Sequence, residues 1–218
     1  RLDGVTGVQT CALPIWPRTR ALLPVHLAGH PCRLPALREL ARGRGLRLVE
    51  DAAHALGAEI DGRRLGAQGD AAVFSFYATK AITTGDGGLV TTADPELARE
   101  VELLAFHGMD GDAWQRYTDR GRWYYEIVRA GWKLHLGDPA AALGLVQLRR
   151  ADAFHRRRAE IAAAYTAAFA GLPGVITPHE EPWARHAWHL YVLQVEPEAV
   201  REGRDGVIAD LAAARIGS

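Results

Sequence analysis

Lysine is nearly absent from this chain. Of its 26 basic side chains, 24 are arginine, and only Lys80 and Lys133 are lysine. Lys80 lies in FSFYATKAITTGDGG, just past a strand-like apolar run and before a glycine cluster. At the mouth of a sheet a lysine loses hydration. Its pKa then falls from about 10.4 and the nucleophilic free amine becomes accessible. Such an amine condenses with an aldehyde to a Schiff base. Taken alone, a loop lysine reads first as a solvated surface residue. Asp51 follows LRLVE, at the carboxyl end of a second strand-like run, where open parallel sheets bind ligands. His54 stands three residues further on. Alone, Asp51 reads equally as the N-cap of a short helix. As a pair, the acid and the lysine suit a pyridine ring. The carboxylate keeps the ring nitrogen protonated and the amine holds an aldehyde carbon, which are the demands of pyridoxal phosphate.

These residues need strands to carry them. ALLPVHL (Ala21–Leu27), LRLVE (Leu46–Glu50), AAVFSF (Ala71–Phe76) and GLVTT (Gly88–Thr92) are short apolar runs bounded by turn residues. Leu34, Leu37, Leu40 and Ala41 recur at helical spacing between the first two. Asp94 and Pro95 open a helix reaching about Phe106, with Asp94 as its N-cap. Strands without clean alternation, interleaved with helices, predict a mostly parallel α/β sheet flanked by helices on both faces. Gly108 to Arg129 is polar and aromatic and reads as a long loop with Trp114, Tyr117, Trp123, Tyr124 and Tyr125. Two helices are expected near Pro139–Arg150 and Asp152–Gly171. In the second, Arg156, Arg157 and Arg158 back the apolar stripe on the wet side. WHLYVLQV (Trp188–Val195) alternates like a strand with one solvated face, and a helix is expected over Ala199–Ala214. The predicted organisation is a large domain over 16–172 and the start of a smaller α+β domain over 173–218.

Composition narrows the function classes. The 26 basic and 26 acidic residues balance, so a polyanion-binding surface is not the expected function and no nucleic acid is expected as a partner. No apolar run approaches the roughly 18 residues that span a bilayer. Two cysteines, Cys11 and Cys32, cannot build a disulfide framework, which fits a reducing, cytoplasmic setting. Residues 1–15 resemble a translated sequencing adapter. They are expected to lie outside the fold, so that the chain is a piece of a longer protein.

Three blocks together resemble a known family. EDAAHALGA (Glu50–Ala58), GDAAVFSFYATKAITTGDGGLVTT (Gly69–Thr92) and GWKLHLGDPAAALGLVQL (Gly131–Leu148) look like the signature blocks of DegT/DnrJ-type sugar-nucleotide aminotransferases, which are pyridoxal-phosphate enzymes of fold type I. PVHLAGHPC and ARHAWHLYVL also fit, so the likeness covers Trp16 to Ser218. The resemblance implies that Lys80 binds the cofactor aldehyde and later shuttles a proton. It matches Asp51 to the pyridinium partner, His54 to the position packed near the ring, and Ser75 to a phosphate ligand. Lys133 matches a position reaching the phosphate of the neighbouring subunit's cofactor in a homodimer. His189 is a candidate for substrate contact. The implied reaction moves an amino group from an amino acid, expected to be glutamate, to a nucleotide-linked ketosugar, expected at C4. Ala81, Asp86, His135 and Gly137 depart from common family residues. The family's N-terminal glycine–threonine phosphate loop and ring-stacking aromatic have no match here, so the chain by itself is expected to be inactive.

Rival readings are fewer. A pyridoxamine-dependent sugar dehydratase of the same superfamily carries histidine at the lysine position, so Lys80 counts against it. A regulator keeping the fold without catalysis would have no need of the Lys80, Asp51, Ser75 set. His26, His30 and Cys32 imitate a metal-ligand spacing, but Gly29 and Pro31 break the rigid helix it would need, and no metal is expected. The glycine pairs are not a phosphate-binding Walker loop, since no GK[ST] follows.

Overall fold

Strand β2 (Arg47–Asp51) sits at the centre of the architecture. In the computed structural model, which describes residues 15–109, 125–196, 198–200 and 203–217, β2 pairs in parallel with β1 (Ala21–Leu22) on one side. On the other it pairs in parallel with β5 (Ala71–Ser75). Strand β6 (Gly88–Thr91) closes the order β1-β2-β5-β6, running antiparallel to β5. The mostly parallel α/β sheet expected from sequence is therefore present, with an antiparallel edge.

Side-chain alternation along β2 separates two roles. Leu48 and Glu50 are buried, whereas Val49 and Asp51 are partly exposed. Leu48 packs with Leu34 and Ala41 of helix α1 (Leu34–Gly43), and with Ala72 and Phe74 of β5. Burying a Leu side chain of this kind contributes roughly 1.5–3 kcal/mol. The opposite side of the sheet is less covered than the sequence suggests: Val73, Leu89 and Val90 are exposed among the described residues.

Glu50 is fully buried and paired. The ring of His26 takes the backbone N–H of Cys32 at Nδ1 (3.0 Å), which leaves its Nε2–H to donate to Glu50 Oε2 at 3.2 Å. The other carboxylate oxygen accepts from the Gly69 backbone N–H. Both side chains are wholly inaccessible to solvent. One acid thus ties β2 to the turn after β1 and to the loop entering β5.

Several predicted elements change on inspection. Only two residues of the Ala21–Leu27 run form a ladder, because Pro24 has no N–H. The pairing resumes as a single bridge, Val25 to Asp51, before a short 3-10 turn over Leu27–Gly29. Between them β3 (Glu59–Ile60) and β4 (Arg63–Arg64) make a small antiparallel pair. Helix α2 (Pro95–Ala105) begins as predicted, with the Asp94 carboxylate accepting from Glu96 N and Leu97 N. The two helices expected around residue 151 are one, α3 (Asp138–Phe169), 32 residues long. No Gly or Pro lies between Leu145 and Phe169, so nothing breaks the ladder at Asp152. Residues 110–124, which hold Trp114, Tyr117, Trp123 and Tyr124, lie outside the described residues, as does most of the 1–15 segment.

The C-terminal part is tied back to the first. Strand β7 (Val175–Ile176) pairs with β9 (Gln194–Val195), and β8 (Ala184–Arg185) joins β3. The expected long strand over Trp188–Val195 is reduced to β9. Trp188 adopts a φ of 50°, which ends extension, and Leu190 N–H bonds to Ala28 in the 3-10 turn instead. Helix α4 (Gly203–Ala213) follows. A polar chain locks α3 to this region: His155 Nε2–H donates to the His186 carbonyl (2.8 Å), and Arg185 bonds both His155 Nδ1 (3.0 Å) and Glu59 (2.6 Å). His186 stacks on Trp188 at 4.0 Å and accepts its backbone N–H.

Two stability outcomes are expected. Glu50→Ala should lower the unfolding free energy by about 3–5 kcal/mol, because it leaves His26 and the Gly69 N–H unpaired. In urea melts, the His26→Ala/Glu50→Ala pair should cost less than the sum of the single changes. Burial, aided by His30 and His155, pushes the His186 pKa down to about 3. Between that value and its ordinary 6.5, the unfolded chain holds a proton that the folded chain lacks. Stability is therefore full above pH 6.5 and falls with acid, by up to about 1.4 kcal/mol per pH unit for this group. His186→Gln should flatten that slope in urea melts run from pH 7.5 to pH 4.5.

Candidate active site

The carboxyl ends of β2 and β5 lie side by side. Asp51 is in register with Val73, and Ser75 ends the neighbouring strand. Asp51 accepts the Ala53 N–H at Oδ1 (3.0 Å), an Asx-type turn that directs the chain into His54 rather than capping a helix. Ser75 Oγ accepts the Tyr77 N–H at 3.3 Å, leaving its own hydroxyl proton free to donate elsewhere.

Lys80 sits in the turn that links β5 to β6, half-buried. Both feet of this turn are tied. Phe76 N–H bonds to Gly87 and Thr84 N–H to Phe76, while Lys80 N–H closes on Tyr77 at 3.0 Å. Thr83 and Thr84 add side-chain bonds to the Phe76 and Asp86 carbonyls. Asp86, one of the departures from the family pattern, caps Gly87 through its carboxylate. Lys80 makes no ion pair among the described residues.

The C-terminal segment adds His189, whose ring lies 4.4 Å from that of His54 at a tilt of 40°. The approach depends on Gly29. Its φ of 99° and its lack of a side chain let it pass between the two segments, where a Cβ would meet the His54 carbonyl at 2.9 Å and the His189 N–H at 3.2 Å. Burial lowers the His54 pKa, the Lys80 charge lowers it further, and Asp51 opposes both. Burial also drives His189 down to about 4, followed by His54, Lys80 and Arg158. Both rings are thus neutral near pH 7, and both feel Lys80. His54 Nδ1 is, among the described residues, the one buried side-chain polar atom without a hydrogen-bond partner.

Asp51, His54, Ser75, Lys80 and His189 therefore converge at one end of the sheet. Lys133 does not join them. It is exposed on a segment docked along the end of α2, bridged to Phe106, with Trp132 and Leu134 bonding the Leu104 and Ala105 carbonyls. His26, His30 and Cys32 are used structurally: His30 Nδ1–H bonds the Pro31 carbonyl and the Cys32 thiol bonds the Val25 carbonyl. Among the described residues no cluster of His, Cys, Asp and Glu is arranged to hold a metal ion, and no helix is long and apolar enough to cross a membrane.

Sequence reasoning misplaced one residue. Arg158, grouped with Arg156 and Arg157 on the wet face of α3, is half-buried, and its Nη2 donates to the Ala81 carbonyl at 3.2 Å. Arg156 and Arg157 are exposed. Three consecutive arginines point about 100° apart on a helix, so the triplet spans two faces. Only the partner turn reveals which member turns inward.

The chain is similar to known proteins over most of its length. The chain is 47% identical over 197 residues to the spore coat polysaccharide biosynthesis protein SpsC of Bacillus subtilis, covering 90% of this chain and 51% of SpsC. Its fold matches the crystal structure of DesV from S. venezuelae with a TM-score of 0.81 at 40% identity, over 93% of this chain and 50% of DesV. It also matches the PLP form of Spr1654 from Streptococcus pneumoniae, with a TM-score of 0.80 at 32% identity, over 92% of this chain and 54% of that one. The chain thus spans about half the length of the curated relatives it matches. The family model of the DegT/DnrJ/EryC1/StrS aminotransferases matches residues 6–218, and the chain belongs to that family.

Proposed function

We propose that this chain carries the lysine half of a pyridoxal-phosphate-dependent sugar aminotransferase. The amino group would pass from an amino acid, expected to be glutamate, to a nucleotide-linked ketosugar, expected at C4. The observation that carries the reading is that Asp51, at the end of β2, and Lys80, in the turn after the neighbouring β5, both act on His54, whose buried Nδ1 no described group satisfies.

The residues present fit the cofactor. A planar ring with a cationic nitrogen would lie against Asp51, and its phosphate would take the free hydroxyl of Ser75. The orphaned His54 Nδ1 calls for a polar partner that the described residues do not supply. When bound, pyridoxal phosphate supplies an electron sink for carbanion chemistry at the amino-acid α-carbon. The rest is the work of the protein. Asp51 holds a negative charge where the ring nitrogen must stay protonated. Lys80 presents an amine on a turn tied at both feet and would move a proton at the donor α-carbon. His54 and His189, kept neutral by burial, offer hydrogen bonds without adding positive charge beside Lys80.

Lys133 belongs to the same reading through a second copy. Its chain neighbours Trp132 and Leu134 are exposed at 60% and 71%, as are Ile127 at 68% and Leu145 at 62%. Exposed large apolar residues of this kind suit an interaction surface. Pairing with a second copy would bring Lys133 to the neighbour's cofactor phosphate, where a lysine acts as a point charge.

Two measurements test the reading. Incubation with pyridoxal phosphate followed by borohydride reduction should label Lys80 and not Lys133 in peptide mass maps, and Lys80→Ala should abolish the label. The protein at full family length should show a visible cofactor band that bleaches on adding glutamate. An unlabelled Lys80, or a band indifferent to amino acids, would overturn the assignment.

A further inference from the structure

Beside the Lys80 turn lies a cavity of about 230 Å³ between α3 and the main sheet. Its walls include Gly57, three residues past His54, and Ala81, next to Lys80. His155 and Arg158 of α3 also line it. Gly57 has a φ of 89°, and a side chain there would project towards the His155 ring, 3.8 Å from an added Cβ. The apolar remainder of the wall comes from residues such as Phe74 and Ile82.

The polar groups of this cavity are satisfied, with one exception. His155 uses both ring nitrogens, on Arg185 and the His186 carbonyl. Arg64 and Asp152 neutralise each other at 3.0 Å. Arg158 carries a full positive charge and five N–H donors. Its one hydrogen bond among the described residues goes to the Ala81 carbonyl, and no described carboxylate pairs with it. Burial lowers its pKa, with no anion to offset the effect. A half-buried guanidinium without a counter-ion is costly, and its planar fork matches a carboxylate. The cavity is smaller than the roughly 300–1,000 Å³ of sites that enclose drug-sized ligands, so a small acid fits it better than a nucleotide.

We propose that this cavity is an anion subsite in which Arg158 binds a carboxylate of a short dicarboxylic amino acid. This deepens the aminotransferase reading and rests on it for the identity of the ligand as the amino donor. The bond to the Ala81 carbonyl fixes one edge of the guanidinium, leaving the other donors for the ligand. The same bond couples the subsite to the residue that follows Lys80. Arg158 is thus a binding and specificity residue that selects donors by their second charge.

The test is a titration of the chain followed through its arginine Nε–H NMR signals, with the Arg158 signal assigned by its absence in Arg158→Lys. Glutarate should shift that signal saturably at millimolar concentration, and the neutral isostere glutaramide should not. Arg158→Met should weaken glutarate binding at least tenfold by calorimetry, whereas the exposed Arg156→Met should leave it unchanged. An unmoved signal, an equal response to glutaramide, or a site that takes inorganic pyrophosphate in preference to glutarate would overturn the proposal. The wild-type titration needs no variant to fold. Borohydride labelling separates the two claims. A labelled Lys80 with an unmoved Arg158 signal overturns the subsite alone. A shifted Arg158 signal without Lys80 labelling supports the subsite and overturns the aminotransferase reading.

Discussion

The buried pair between Glu50 and His26 is the constraint on which the site depends. A carboxylate with no solvent exposure survives in a core only when its oxygens are occupied. Here one oxygen faces the His26 ring and the other the Gly69 N–H. The same contacts fix the ends of two loops relative to β2. Because side chains alternate along a strand, clamping Glu50 inward forces Asp51 outward to the face where the other site residues gather. A one-residue slip of β2 would bury Asp51 and expose Glu50, destroying the site and the core together.

The second structural theme is that the candidate site groups arrive from distant parts of the chain. Asp51 and His54 come from the first strand pair, Lys80 from the β5–β6 turn, Arg158 from α3 and His189 from the segment before β9. Gly29 permits the approach of His189 to His54, and α3 spans the assembly through Arg158 and His155. The helix therefore does more than cover the sheet. It joins the Lys80 turn to the His186–Trp188 stack by hydrogen bonds at both places.

Much of this was legible in the sequence, for particular physical reasons. Lys80 stood out because lysine is so rare here, and Asp51 because it ends a strand-like run. Asp94 and Pro95 marked a helix start through local capping chemistry that needs no tertiary context. What escaped was whatever depends on a partner. Glu50 lies inside a motif block, yet its burial is set by His26 and Gly69. Arg158 could not be told from its two neighbours until the Ala81 carbonyl was in place. The alternation of Trp188–Val195 was real, but a strand also requires a ladder, and the backbone there bonds to a turn instead.

The antiparallel return of β6 has a mechanical meaning. Because β5 and β6 start and finish the Lys80 turn at the same end of one sheet, that turn is a hairpin loop rather than a connection to a separate body. Its feet are set by two adjacent strands and tied by the Phe76–Gly87 and Thr84–Phe76 hydrogen bonds. Asp51 is borne by the same sheet one strand away. Lys80 and Asp51 thus share one sheet as their support, whereas Arg158 and His189 reach the same region from α3 and from the segment before β9.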